Sequence, residues 1–428
     1  MAVTKERQPA AERRPPWISS EVAGVGAASF FSDSGHEIAT AVLPSFLTGI
    51  LHGSAATLGV IEGLSDALLG AAKLFGGPLA NDPARRVRLA RGGYLLTAVF
   101  TAAIGLATTV WQAGVLRAAA WAARGARTPA RDTLLASLAP ADAYGRAFGV
   151  ERAGDNLGAV VGPLLASMLV ATVGLRSSFF FALIPGTLAA LSISLAAARA
   201  GRRATAAPVR ERARLELGRL RHSGLLRPLL PVALFELGNI ATSLLILRTT
   251  ELLHHGGRSL TAAASLAILL YAGHNATAAL VALVGGAWID RRGPRAVFAA
   301  AAAVYVVAYG GFAFPIHHWL LLAGCFCLAG AGIGLAETAE STLVAQLLPD
   351  RLRGSGFGLL GGLQSAGDFL SSTVVGLLYV AVAPMAGFAY AATWMVAALV
   401  ATGSLRSASP GSSDDAGRVT WWGAACGS

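Results

Sequence analysis

Long apolar runs, divided by short polar or arginine-bearing breaks, fill nearly the whole chain. They fall at about 20–50, 55–80, 89–110, 112–138, 146–172, 177–198, 228–252, 261–288, 296–315, 319–348, 355–382 and 385–404. A helical crossing of a bilayer takes about 20 residues, so each run is long enough to span one. The pattern predicts an all-α integral membrane protein with twelve transmembrane helices, six in each half. Composition supports this: 54% of the 428 residues are hydrophobic and 13% charged, with a mean hydropathy of +0.59. That is too apolar for a soluble domain.

The breaks carry the topology. Arg13 and Arg14 precede the first run, and Arg85, Arg86, Arg88 and Arg91 follow the second. Arg291, Arg292 and Arg295 follow the eighth, and Arg351 and Arg353 follow the tenth. Arginines in alternate loops obey the positive-inside rule and place both termini in the cytoplasm. The excess of 34 Lys+Arg over 23 Asp+Glu is therefore topological, and no nucleic-acid partner is needed to account for it. The expected divisions are a cytoplasmic N-terminal segment (1–19), an N-terminal six-helix half (20–198), a cytoplasmic linker with nine arginines (199–227), a C-terminal six-helix half (228–405) and a disordered Ser/Gly-rich tail (406–428). Residues 1–19 lack a signal-peptide layout. Cys325, Cys327 and Cys426 form neither a disulfide framework nor a zinc spacing, and packing accounts for them.

Two stretches repeat at one offset. Gly77–Arg86 (GPLANDPARR) recurs as Gly286–Arg295 (GAWIDRRGPR), and Pro140–Gly149 (PADAYGRAFG) recurs as Pro349–Gly358 (PDRLRGSGFG), each pair 209 positions apart. Two matches at one spacing mark a duplication, so the halves share a topology, and internal repeats in an apolar chain point to secondary transporters. Acid and guanidinium beside a tight turn at helix ends form a gate latch, paired in one transporter state and separated in the other.

These loops resemble the signature of the major facilitator superfamily, Gly-x-Leu-Ala-Asp-Arg-x-Gly-Arg-Arg/Lys. Gly286, Asp290, Arg291, Gly293 and Arg295 fit it. In the first copy Gly77, Arg85 and Arg86 fit, whereas Asn81 holds the acid position, Asp82 the following basic one and Ala84 that of the second glycine. Asp82 is the expected substitute acid. Gly158, Gly162 and Pro163 resemble the core of a motif found in the superfamily's antiporters, without its trailing glycine pair. In physical terms, glycines four apart let helices approach backbone to backbone, and proline permits a bend. Arg117 stands near the span-four arginine of the superfamily's proton-coupled exporters, without the glutamine and glycine that usually follow. The resemblance covers about residues 20–405 and implies a transporter working by alternating access.

Ionisable groups inside a membrane are costly unless paired or wetted, so each marks an ion or substrate path. At about 1.5 Å of rise per residue, Asp33, Asp66, Arg124, His274 and Asp368 fall at a common depth, near mid-bilayer. Glu37 follows Asp33, and Asp66 follows Glu62, by one helical turn. Apolar surroundings and a neighbouring acid favour the protonated carboxyl, and an arginine favours the ionised one. Moving between the two is the expected proton coupling, with Asp33 or Asp66 as carrier, Arg124 or Arg117 as alternating partner, and Glu37 and Glu62 beside them. The 209 shift puts Thr242, Tyr271, Asn275 and Gln364 over Asp33, Glu62, Asp66 and Asp155, so proton handling is expected mainly in the N-terminal half. The expected substrate cavity comprises His36, Asp155, Glu236, His274, Glu337, Glu340 and Asp368. The four acids of the C-terminal half are equally well read as static ion pairs with arginines, and Lys73 and Arg248 as cations snorkelling at span ends.

The expected function is proton-coupled antiport of small organic molecules, amphipathic and often cationic, driven by the proton gradient without a cofactor or resident metal. The expected setting is a monomer in the bacterial inner membrane. The alternatives are an importer, or a metal or siderophore permease, in which His36 and His274 join the carboxylates. An intramembrane enzyme is a remote one, since no nucleophile elbow or HExxH pattern occurs.

Overall fold

A computed structural model describes residues 18–201 and 217–404. The predicted terminal segments and most of the linker, with Cys426, lie outside the described residues. The first half consists of α1 (Ser20–Ser45), α2 (Ala55–Ala80), α3 (Pro83–Ala103), α4 (Val110–Leu138), α5 (Tyr144–Val173), α6 (Leu175–Phe181) and α7 (Leu183–Gly201). A short α8 (Leu217–His222) leads into α9 (Leu226–Glu236), α10 (Thr242–His255), α11 (Leu260–Arg292), α12 (Pro294–Ala313), α13 (Trp319–Leu347), α14 (Asp350–Ala381) and α15 (Pro384–Ser404). The fold is all-helical, and seven of the described helical segments are long and apolar enough to cross a membrane by length and composition alone.

The duplication is visible in the helix ends. Shifted by 209 residues, α4 falls end for end on α13. Each predicted run is helical, but two are interrupted. The sixth bends at Ala182, between α6 and α7, and the seventh opens between α9 and α10. At that second break the amides of Ile240 and Ala241 leave the helix and donate instead to Tyr309 Oη (3.3 Å) and Ser372 Oγ (2.9 Å). Buried backbone donors in an apolar surrounding need such partners.

Within the first half α1 packs on α5 and α7, and α4 on α2 and α3; within the second, α13 packs on α11 and α12, and α15 on α12 and α9. The halves meet along two equivalent seams, α5 on α11 and α14 on α2. Phe148 and Phe357, equivalent under the shift, meet across the halves with ring centroids 5.7 Å apart and planes tilted by 47°.

The two gate turns differ in construction. After α11, Gly293 takes φ +80°, a left-handed conformation natural to glycine, and Pro294 starts α12. After α2, Asp82 caps α3 by accepting from Ala84 N at 2.9 Å, and Pro83 follows at the first helical position. No left-handed residue is needed there, which explains why Ala84 stands in the place of a glycine.

Candidate transport site

At the arginine-rich end the halves are clasped twice by equivalent residues. Asp290 accepts from the amides of Gly145 (2.7 Å) and Arg146 (3.2 Å) and from Arg146 Nε (2.7 Å). It therefore caps the start of α5 with a charge, where orphan amides and the helix dipole favour an anion. Asn81 exchanges two bonds with Ser355 of α14, Oδ1 accepting from the amide (3.1 Å) and Nδ2 donating to Oγ (2.8 Å). The backbones come close at both seams: a Cβ on Gly77 would lie 2.7 Å from Gly354 O, and one on Gly145 would lie 2.6 Å from an Asp290 carboxylate oxygen.

Asp82 takes no part in the clasp. Its carboxylate caps α3 and pairs with Arg85 at 3.3 Å within its own loop, so Asn81 itself occupies the acid's place. Arg86 crosses the seam to Asp350 in a two-pronged pair at 3.1 and 3.0 Å. Arg295 is turned back on its own half, donating to the carbonyls of Thr402 and Gly403, and Arg291 is exposed.

Beneath the clasp lies a cavity of about 260 Å³ between the halves, with Asp33, Asp155 and Glu337 in its walls. Arg117, Trp121, Arg124, Thr128 and Arg131 follow one face of α4 at helical spacing. Arg124 grips Asp33 through both carboxylate oxygens, at 2.8 and 3.1 Å. Two turns away Arg117, 1% exposed, pairs with Glu62 at 3.1 Å and lies 3.4 Å over the Trp121 ring. Trp121 Nε1 donates to Asp66 at 2.9 Å. Arg131 binds Glu151 (2.6 Å), Asp132 (2.9 Å) and Asp155 (3.3 Å). The predicted acids and arginines of the first half are thus brought together, with Asp33 on Arg124 and Glu62 on Arg117. Glu37 neighbours His36, Oε1 lying 3.6 Å from Nε2.

The antiporter-like glycines lie directly behind these carboxylates. A Cβ on Gly158 would stand 2.8 Å from Asp33 Cβ, and one on Gly162 would stand 2.8 Å from Ser34 O beside Glu37. The stripe on α5 sets how closely α1 approaches, and so where Asp33 and Glu37 sit. Pro163 lies inside α5.

Several expected cavity residues are placed elsewhere. His274 is buried between α11 and α13, its Nδ1 3.2 Å from Phe326 O. His36 stacks on Trp121, with centroids 4.0 Å apart, and faces a small void beside Tyr94 and Thr97. The two histidines make no contact with each other, and the described residues contain no group of three or more His, Cys, Asp and Glu able to hold a metal. Glu236 and Asp368 share Asn239 Nδ2 at 3.1 and 3.0 Å, and Glu340 accepts from Gln364 Nε2 at 2.8 Å. Amides rather than arginines therefore partner these three acids. Only Glu337, 3.7 Å from Arg152 across the seam, meets the ion-pair expectation.

The snorkelling cations are also displaced from the expected span ends. Lys73 lines the central cavity and reaches Ser365 of α14 at 3.3 Å. Arg248 is buried and donates to Phe312 O at 3.1 Å. Sequence reading missed Arg127, Arg152 and Trp121 as site residues. The seven-residue spacing of Arg117, Arg124 and Arg131 was the signal that a single charged face runs down α4.

Two like helical halves clasped at one end over a charged cavity define a multi-pass membrane transporter. It is not an enzyme. The chain belongs to the Major Facilitator Superfamily, whose family model matches residues 25–272 and 257–420. It is 29% identical over 362 residues to an uncharacterized protein of Mycobacterium tuberculosis, covering 83% of this chain and 85% of that one. It is 35% identical over 122 residues, 28% of this chain and 29% of the other, to the multidrug resistance protein MdtG of Dickeya zeae. A crystal structure of a bacterial homologue of the iron transporter ferroportin, in the outward-facing state, superposes with a TM-score of 0.71 at 16% identity, covering 90% of this chain and 98% of that one.

Proposed function

We propose that this protein is a proton-coupled antiporter that exports small organic molecules across the bacterial inner membrane by alternating access. It crosses the bilayer twelve times, with both termini and the clasped, arginine-rich end in the cytoplasm, and acts as a monomer that uses the proton gradient and no cofactor. In this orientation the closed end of the structure faces the cytoplasm.

The observation that carries the reading is the two-pronged Asp33–Arg124 pair in the cavity wall, backed by the glycine stripe that seats α1 on α5. A carboxylate held by an arginine is ionised, and it takes up a proton when the arginine is drawn away. The paired Asp33 is then the unloaded form: it takes up a proton from outside when Arg124 lets go, and gives it up inside when an arginine takes the carboxylate back. The local likeness to MdtG supports export.

The test is accumulation of a panel of small cationic, neutral and anionic dyes in efflux-deficient cells. Lower accumulation with the wild type, abolished by a protonophore and by Asp33→Asn, is the expected result. Higher accumulation with the wild type would mean import, and protonophore-insensitive efflux would remove the coupling.

A further inference from the structure

Five cations and four carboxylates line the central cavity, with Glu151 buried behind them against Arg131 and Arg152, and three of the cations share all of these acids, so that two are left without a carboxylate contact. Arg124, Arg131 and Arg152 each hold at least one carboxylate. Among the described residues, Lys73 and Arg127 hold none. Lys73 Nζ donates to the Ser365 hydroxyl. Arg127 Nη2 donates to the Ser32 hydroxyl at 2.6 Å, while its guanidinium lies 3.9 Å over the Tyr94 ring. Arg127 is 1% exposed, and its Nε and Nη1 have no hydrogen-bond partner.

A guanidinium without a carboxylate at this depth is costly, because burial removes its hydration and one hydroxyl and one ring face replace only part of it. The ring of Tyr94 fixes the plane of the group, and Ser32 occupies one nitrogen, so the remaining donors are preorganised. Preorganised donors without an acceptor are complementary to an incoming oxyanion, for which charge-assisted bonds are the strong kind. Lys73 supplies a second, more mobile cation in the same cavity. A cationic cargo would find the cavity's carboxylates already held by arginines and would meet two cations that no carboxylate touches, contrary to the expectation drawn from the buried acids alone.

We propose that the transported molecule is a small organic anion, bearing a carboxylate, sulfonate or phosphate, bound in this cavity with Arg127 and Lys73 as its counter-charges. This rests on the cavity being the transport path and names the substrate class for it. The direction fits export, since an interior-negative potential drives each negative charge outward by about 2.3 kcal/mol per 100 mV.

The experiment is equilibrium dialysis of the purified full-length protein in detergent, without any gradient, against radiolabelled salicylate, benzenesulfonate and phenyl phosphate, with tetraethylammonium as the cationic probe. At least one anion is expected to bind saturably, and tetraethylammonium is not. Arg127→Gln and Lys73→Gln should each weaken anion binding about tenfold or more, the loss expected for one charged hydrogen bond, and Arg127→Lys should recover part of it. Lys73→Gln, on the open wall, carries the test should Arg127→Gln fail to fold. The proposal is overturned by saturable tetraethylammonium binding without anion binding, by no binding of any anion to folded wild type, or by unchanged anion affinity in both glutamine variants. Because no gradient is present, failure here leaves proton-driven export standing, and anion binding combined with uncoupled flux would reject the coupling alone.

Discussion

Tyr144 and Arg353 occupy equivalent places in the two halves, 209 residues apart, and they touch: Arg353 Nη2 donates to Tyr144 Oη at 2.7 Å. A position in contact with its own copy lies on the pseudo-symmetry axis, so this bond locates the axis at the clasped end. Everything that must separate when the halves rock is arranged around it, and the predictions below follow from that arrangement.

Asp290 receives three bonds from α5, two of them from backbone amides. Asp290→Lys should lower the transport rate at least tenfold while leaving membrane insertion intact, since charged hydrogen bonds contribute about 1.5–3 kcal/mol each. Flux in reconstituted vesicles and the amount of folded protein in the membrane check this. Unchanged transport would show that the clasp does not control opening.

The neutral clasp should matter less. Asn81→Ala removes two uncharged bonds, each contributing about 1 kcal/mol net, and its transport defect should be several-fold smaller than that of Asp290→Ala. Side-by-side initial rates decide the order.

Arg86 and Asp350 form their pair at the rim, with the Asp350 side chain 46% exposed. Arg86 itself is buried, 4% exposed, so the pair contributes more than the roughly 1 kcal/mol or less of a fully exposed one, while the Asp350 end remains open to screening by salt. Arg86→Asp should impair transport, and the swap Arg86→Asp with Asp350→Arg should restore part of it. An unrepaired double variant would mean that Arg86 acts through its other bond, to Ala80 O.

Gly158 leaves no room for a side chain between α5 and α1. Gly158→Val should destabilise by about 1–3 kcal/mol through overpacking. Because the strain falls on the backbone at Asp33, proton-driven transport should be lost even in the protein that remains folded. Thermal unfolding together with flux per folded molecule separates the two effects.

Glu62 compensates a fully buried Arg117. The Glu62 side chain is 35% exposed, so Glu62→Leu alone should cost about 1–3 kcal/mol of stability, less than for a fully buried pair, whereas Glu62→Leu with Arg117→Met should cost less still, since it leaves no buried charge without its partner. Thermal unfolding of both variants settles the order.

The helical architecture was legible because apolar runs of membrane length admit few other structures and the repeats announce the duplication. Asp33 with Arg124 and Glu62 with Arg117 were legible as groups, because helical spacing sets the depth of a residue. Rotation about each helix axis is set by packing, and it was not legible. His274 was grouped with the cavity residues in sequence but turns into the α11–α13 contact. Lys73 looked like an end-of-span cation, yet α2 presents it to the cavity. The break after Glu236 exposes Asn239 to two acids, a partnership that required knowing that the helix opens there.

The unequal clasps have a consequence for how the two halves are free to differ. In a dimer of identical chains, any residue chosen for one seam appears at the other, so an ionic fastening on α5 would be repeated on α14. Joining the halves in one chain lets Asn81 face Ser355 while Asp290 faces Arg146. One seam is held by a carboxylate buried against backbone amides, the other by a carboxamide with an ion pair at its rim, and the closed end is free to open from one side first.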